Sequence, residues 1–226
     1  MRESSATFIQ STWHFDWCGL RLFACQFNAQ AWQPSDEAFL CCDAYQSLQR
    51  AAPKRKAEFV TGRLMAMKAL AYIDKPTMDI EIGQHRAPIW PFGVVGSISH
   101  HSSIAMSCAT LANHYCCLGL DIETVMPESQ AQQIQALVCN DDELALQPSS
   151  GLSLAEFVTL LFSAKESLFK AVYPRLKRYL EFSDARLIAF NSQSLTLELV
   201  TAELRACYNV AYQTQHSSMI TLVYGR

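Results

Sequence analysis

"LSLAEFVTLLFSAKESLFKAVY", Leu152 to Tyr173, is long enough for about six turns of helix and is apolar enough to bury most of its surface. Four strand-like runs follow it, "ARLIAF", "SLTLELV", "CYNVAYQ" and "MITLVYG", and a further helix, "ESQAQQIQALV", precedes it. Working back toward the N-terminus, "YCCLGLDIETV" reads as a strand, and before it a second succession of helix then strands appears. There "PKRKAEFVTGRLMAMKALAYI" begins a helix at Pro53, the turn-rich "IGQHRAPIWPFG" follows, and "VVGSIS" and "SIAMSCATL" read as strands. Upstream, "PSDEAFLCCDAYQSLQ" reads as a helix capped near Ser35. This order predicts an α+β chain in two halves, residues 1–114 and 115–226, each a long helix with several strands. No residue-by-residue repeat relates them.

Within the helix from Pro53, Val60, Leu64, Met67 and Ala71 recur at helical spacing and form the expected core face, while Lys56, Phe59 and Arg63 fall on another that could offer cations.

Composition narrows the function classes. Half of the 226 residues are hydrophobic and 17% are charged, so the chain can bury a sizeable core. A formal net charge of −3 argues against a general polyanion binder, so nucleic acid is not an expected partner and any basic site must be local. The nine cysteines are odd in number and include the adjacent pairs Cys41-Cys42 and Cys116-Cys117, which points to reduced thiols and the cytoplasm. The N-terminus lacks a continuous apolar run, and no segment approaches the roughly 20 apolar residues of a membrane span.

Three short motifs carry chemistry. In "LGLDIET", side chains two apart on a strand share a face, so Asp121 and Glu123 stand together while Leu120 and Ile122 turn the other way. Such a pair is either a solvated acidic edge or a place for a hard divalent cation. In "FSAKESLFKA", Glu166 and Lys170 are four apart: either a surface ion pair, or a third oxygen ligand beside a lysine that reaches a phosphate. Lys165 projects about 100° from Glu166 and needs a different partner. In "GSISHHS", small polar residues around Gly96 and Ser99 lead to His100. No G-x-S-x-G elbow accompanies them, so phosphate contact is favoured over a hydrolase triad. His101, His114 and His216 read as structural.

"GSISH", "LGLDIE" and "FSAKESLFKA", in this order and at these separations, resemble the motif set of the monomeric, Sfp-type 4′-phosphopantetheinyl transferases, and within them the enterobactin-synthetase-component-D-like group. The likeness also takes in "KRKAEFVTGR", "RAPIWPFGVVGSISH" and "YPRLKRYLEFSDA", and so runs from about Lys54 to Ala185. The resemblance implies a pseudodimer of two similar α+β halves with the active site in the cleft between them. It implies Asp121, Glu123 and Glu166 as ligands of Mg²⁺ (or Mn²⁺), with Lys170 beside the phosphate under attack. It implies His100 and Ser99 on the coenzyme A phosphates, Arg55 and Arg63 on its 3′-phosphate side, and Lys165 as a further phosphate contact. The family often has lysine within the stretch that here reads "GQHRAP", so Arg86 takes a phosphate role in its place.

The implied reaction moves the phosphopantetheine arm of coenzyme A to a serine of an apo acyl, aryl or peptidyl carrier protein and releases 3′,5′-ADP. Glu166 would take the serine proton, while Lys170 and His100 offset phosphoryl charge. Siderophore, polyketide and fatty-acid synthases are the carrier-bearing candidates. Another metal-dependent phosphoryl enzyme, or a carrier-binding module without activity, are the alternatives. The first would act on coenzyme A without a carrier, and the second would have been expected to lose one of Asp121, Glu123, Glu166 or Lys170.

Overall fold

The computed structural model describes residues 8–39, 46–77, 79–215 and 217–225; Cys41, Cys42 and His216 lie outside them. The chain divides into two compact units, Met1–His114 and Tyr115–Arg226. Both are mixed helix and sheet.

The first unit is an antiparallel sheet in the order β1-β2-β6-β5, formed by β1 (Ile9–Trp17), β2 (Leu20–Phe27), β5 (Val94–His101) and β6 (Ile104–Leu111). Helix α1 (Pro53–Tyr72) lies on it, and β3 (Glu81–Ile82) and β4 (Pro88–Ile89) make a small separate ribbon. The hairpin β1-β2 is not legible in the sequence, because six of the nine β1 side chains are exposed and its turn is Cys18-Gly19. Both turn residues have positive φ, 55° and 78°, the geometry that usually selects Asn-Gly or Asp-Gly.

Helix α1 turns a different face inward from the one expected. Ala57, Val60, Thr61, Gly62, Met65, Ala66, Ala69 and Leu70 are buried, whereas Leu64 and Met67 are only half-buried and Ala71 is exposed. The sheet selects small side chains for close approach: a methyl group on Gly62 would stand 2.9 Å from Ile98 Cγ2. Upstream, the helix expected near Ser35 is a 3₁₀ segment over Pro34–Phe39 within the described residues, fixed by Asp36 Oδ2 accepting from Gln33 N–H at 2.8 Å. Lys56, expected on the cationic face, is buried and paired with Glu37.

The second unit is an antiparallel sheet in the order β7-β11-β10-β9-β8, from β7 (Cys117–Thr124), β8 (Ala185–Phe190), β9 (Ser194–Val200), β10 (Arg205–Gln215) and β11 (Ser218–Gly225). Helices α2 (Glu128–Val138), α3 (Asp141–Leu144) and α4 (Gln147–Ser150) lead into α5 (Leu154–Leu176). Ser153 caps α5 through a capping box with Glu156, the reason the helix begins where it does. Its apolar side, including Phe157, Leu160, Leu161, Ala164 and Leu168, fills the core of this unit.

Helix α5 sits unusually close to the sheet. A methyl group on Gly119 in β7 would overlap the Ser167 carbonyl oxygen and stand 2.7 Å from Ala171 N. The seam is small and polar where a larger side chain would prop it open. Thr221 Oγ1 on β11 lies 2.9 Å from Ser163 Oγ and 2.6 Å from Ser167 Oγ, and Thr159 Oγ1 accepts from Met126 N–H at 3.1 Å. Gly119→Ala should therefore cost about 3 kcal/mol or more by forcing helix and strand apart. Urea unfolding checks this; native-like stability would mean that the seam has slack.

Candidate active site

The close seam decides which side chains of α5 meet β7. Alternation along the strand puts Gly119, Asp121 and Glu123 on one face. The approach permitted by Gly119 brings the next turns of α5 alongside the other two. Lys170 Nζ donates to Asp121 Oδ1 at 2.7 Å and to the Leu120 carbonyl at 3.1 Å. Asp121 is 3% exposed, so this charge is desolvated and held by its lysine. The ion pair formed by Lys170 is thus across the helix–strand seam, with a residue 49 positions away.

Glu166 shares this neighbourhood. Burial pushes its carboxyl above the usual range; Lys170 pulls it down, and the Asp121 and Glu123 carboxylates push it up again. Three carboxylates and one lysine therefore act on one another here. The donor set is all oxygen and mutually repelling, with Asp121 buried and Glu123 and Glu166 half-buried, which suits a hard divalent cation such as Mg²⁺. Among the described residues, no group of three His, Cys, Asp or Glu side chains is gathered at metal-ligating spacing.

Lys165 needs correction. It is 1% exposed, and its Nζ donates to the Val138 carbonyl at 2.7 Å, to Glu143 Oε2 at 3.0 Å and to the Phe182 carbonyl at 3.2 Å. Three acceptors satisfy a lysine, which leaves it nothing to offer a phosphate. Glu143 in turn accepts from Leu187 N–H at 2.7 Å and Asn140 N–H at 2.9 Å, so the pair is a buried knot joining α2, α3, α5 and β8. The different partner demanded by its direction on the helix is Glu143.

Four of the five candidates of the first unit gather around a cleft of about 340 Å³ between α1, the 84–86 turn and β5. Arg55, Arg63, Arg86 and His100 line it. Arg63 is steered by its neighbour one turn back, its guanidinium lying 4.9 Å over the Phe59 ring, and its Nη2 donates to the Glu81 carbonyl at 3.4 Å. Arg86 is held by a strained turn: His85 and Arg86 both have positive φ, 55° and 63°, and Gly83 N–H closes the loop on the Ala87 carbonyl at 2.8 Å. Ser99 is not brought to this cleft. Strand alternation sends Ile98 and His100 to the cleft and leaves Ser99, 4% exposed, on the other face of β5. Sequence reasoning passed over two contributors. One is Gly119, whose place inside a strand was itself a signal of close backbone approach; the other is Glu58, a carboxylate in a cationic cleft.

Two measurements follow from these environments. Lys165→Met should lose about 3–5 kcal/mol, since it strands a buried carboxylate; a loss below 1 kcal/mol in denaturant titration would return Lys165 to the candidate ligands. For Glu166 the sign is set by its raised carboxyl. Its contribution favours the folded state below the ordinary value of 4.5 and is lost as pH rises through the raised one. In chelator-treated protein, Glu166→Gln should therefore melt higher than the native chain at neutral pH, and the gap should shrink toward acid. An equal gap at all pH values would contradict the burial argument.

Family models match most of the chain: residues 44–110 match the 4′-phosphopantetheinyl transferase N-terminal domain and residues 117–223 the 4′-phosphopantetheinyl transferase superfamily. The chain is 32% identical over 218 residues to enterobactin synthase component D of Salmonella typhi, covering 94% of this chain and 90% of that one. It is 35% identical over 138 residues to the 4′-phosphopantetheinyl transferase Svp of Streptomyces mobaraensis, covering 61% and 56%. A solved holo-(acyl-carrier-protein) synthase from Bacillus anthracis, in complex with CoA (3′,5′-ADP), covers 49% of this chain and 96% of its own at 22% identity and a TM-score of 0.37, a likeness too slight to build on. With both halves matched by the family's models and a relative aligned over nearly its whole length, the chain belongs to the 4′-phosphopantetheinyl transferases, near enterobactin synthase component D.

Proposed function

We propose that this transferase moves the 4′-phosphopantetheine arm of coenzyme A to a serine of an apo acyl, aryl or peptidyl carrier protein, with Mg²⁺ as supporting ion, and releases 3′,5′-ADP. The observation that carries the reading is the cleft where Arg55, Arg63, Arg86 and His100 converge, a set suited to a ligand with phosphates at several positions. The net charge of −3 makes this concentration of guanidinium groups local, as a specific anion site requires.

In the reaction, the serine oxygen bonds to the phosphorus that carries pantetheine, and the bond from that phosphorus to the oxygen of the adenosine-side phosphate breaks. Glu166 accepts the serine proton, directly or through a water; its burial favours that role by making the carboxylate a stronger base than an exposed one. Lys170, already fixed at the carboxylate cluster by Asp121, offers positive charge to the phosphoryl oxygens. Asp121, Glu123 and Glu166 are the residues that would hold Mg²⁺, which when bound offsets charge on the pyrophosphate. Arg55, Arg63 and Arg86 hold the nucleotide end, and His100 adds a contact to the same phosphates.

Incubating the protein with coenzyme A, Mg²⁺ and a panel of apo carriers, siderophore-synthetase carriers among them, tests this directly. The expected result is a mass gain of one phosphopantetheine arm on a carrier serine, reduced by orders of magnitude in Asp121→Ala and Lys170→Met. Breakdown of coenzyme A with no modified carrier would overturn the reading in favour of a phosphodiesterase. Arg63→Ala should raise KM more than it lowers kcat, since a contact remote from the reacting phosphorus binds ground and transition states alike. That variant should also discriminate less between coenzyme A and its 3′-dephospho form; unchanged discrimination would place Arg63 elsewhere.

A further inference from the structure

Three guanidinium groups in the cleft suit an anionic ligand, but Glu58 does not, because a carboxylate there repels it. Its placement has a specific geometry. Glu58 Oε2 lies 3.9 Å from His100 Nδ1 and 3.7 Å from Arg55 Nη1, and Arg55 Nη1 lies 3.2 Å from His100 Nε2. A guanidinium can only donate, so Nε2 must accept. The imidazole is then neutral, with its single proton on Nδ1, on the side of Glu58. Protonation of Nε2 in this arrangement would set an N–H against an N–H of a cation.

We infer that Glu58 is a positioning residue that makes ligand binding proton-linked: phosphate draws Arg55 away from His100 Nε2, and Nε2 takes up a proton from solvent, keeps it, and donates a hydrogen bond through it to the phosphate. Glu58, on the far side of the ring, stabilises the imidazolium so formed. One proton enters from water and no bond other than Nε2–H is made or broken within the protein. The inference rests on the reading of the cleft as the site of the nucleotide phosphates. Among the described residues, the charged groups lining this cleft are Arg55, Glu58 and Arg63 of α1 and Arg86 of the 84–86 turn, and Lys54 of α1 stands outside it with its Nζ 3.9 Å from Glu58 Oε1. The adjoining strand β6 sets the uncharged Ala105 beside His100. Arg63 and Arg86 oppose a cationic ring until a phosphate neutralises them, and Glu58 favours it throughout, so the ligand supplies the change of balance.

The probe is 3′,5′-ADP, titrated calorimetrically near pH 7.5 in buffers of different ionisation enthalpy. At that pH its phosphates, with second pKa values of about 6, are already dianions, so protons taken up go to the protein. The native protein should take up on the order of half a proton or more per ligand, with affinity falling as pH rises above about 7. Glu58→Gln should bind several-fold more weakly with proton uptake near zero, and His100→Gln should also lose the uptake. A residue that merely supports the fold would lower the melting temperature and leave the proton count unchanged. Nitrogen-15 spectra of the native, ligand-free protein should show His100 as the Nδ1–H tautomer, a readout independent of how the variants fold. Binding without proton uptake, or an Nε2–H tautomer in the free protein, overturns the inference and leaves the cleft as the nucleotide site. Absence of 3′,5′-ADP binding by the native protein overturns the cleft assignment itself, and the inference with it.

Discussion

The distance between α5 and β7 is the constraint on which the second unit depends. Helices usually ride on a sheet at a separation set by interleaved side chains, about 10 Å between layers. Here Gly119 removes the side chain that would keep them apart, and the Ser167 backbone occupies the space. Everything chemical in this unit follows from that closeness. Lys170 can reach both Asp121 and the Leu120 carbonyl, and Glu166 feels both strand carboxylates, because the helix axis is drawn in at this turn. The hydroxyls of Ser163, Ser167 and Thr221 satisfy one another in the same seam, so the approach leaves these buried polar groups partnered.

The first unit solves the opposite problem, that of gathering cations without letting them drive the fold apart. Each guanidinium has a local counterweight. Arg63 has the Phe59 ring and the Glu81 carbonyl, Arg55 has His100 and Glu58, and Arg86 is kept in place by backbone geometry. These are weak restraints individually, on the scale of about 1 kcal/mol for an exposed ion pair or cation–π contact. Weakness suits a binding site. A ligand that replaces several of them at once can displace them, whereas the buried pair of Lys165 and Glu143, with every donor and acceptor satisfied, could not be opened by any ligand without unfolding its surroundings.

That contrast explains which features could be read from the chain. Helices and strands with a clear period, such as α2, β8 and β9, were legible to the residue, because pattern alone decides them. Strand alternation places Asp121 beside Glu123, and helix spacing places Glu166 beside Lys170; that Lys170 crosses to Asp121 and that Glu166 feels both strand carboxylates depends on the helix–strand distance, which no local pattern reports. Helix spacing separates the directions of Lys165 and Lys170 but does not say which of them is buried. Both stand on one amphipathic helix five residues apart, and which of them is buried depends on Glu143, contributed by a short capped turn whose packing no local pattern reports. The core face of α1 differs from the one that apolar spacing predicts for a related reason: Val60 is buried as expected, but close approach to the sheet selects Gly62, Ala66 and Ala69 in place of Leu64, Met67 and Ala71. The hairpin β1-β2 escaped because its outer strand is largely exposed and its turn lacks the usual residues.

Both charge clusters are held at rest by groups of the protein itself. Lys170 lies on Asp121, and Glu58 faces Arg55 and His100. Neither cluster is a bare field waiting for its counter-ion. A bare cluster would bind any ion of opposite sign, and its cost would fall on the stability of the folded chain, since like charges gathered in a low-dielectric setting oppose folding. Internal pairing moves that cost to the moment of binding, where only a ligand able to satisfy several displaced partners at once can meet it. A single inorganic phosphate would compete poorly for Arg55, Arg63 and Arg86 together; a ligand carrying phosphates at two positions engages them from one rigid frame and pays the entropy of association once. If the cleft is the nucleotide site proposed above, selectivity for a multiply phosphorylated ligand would follow from how the cations are already occupied, and not from their number.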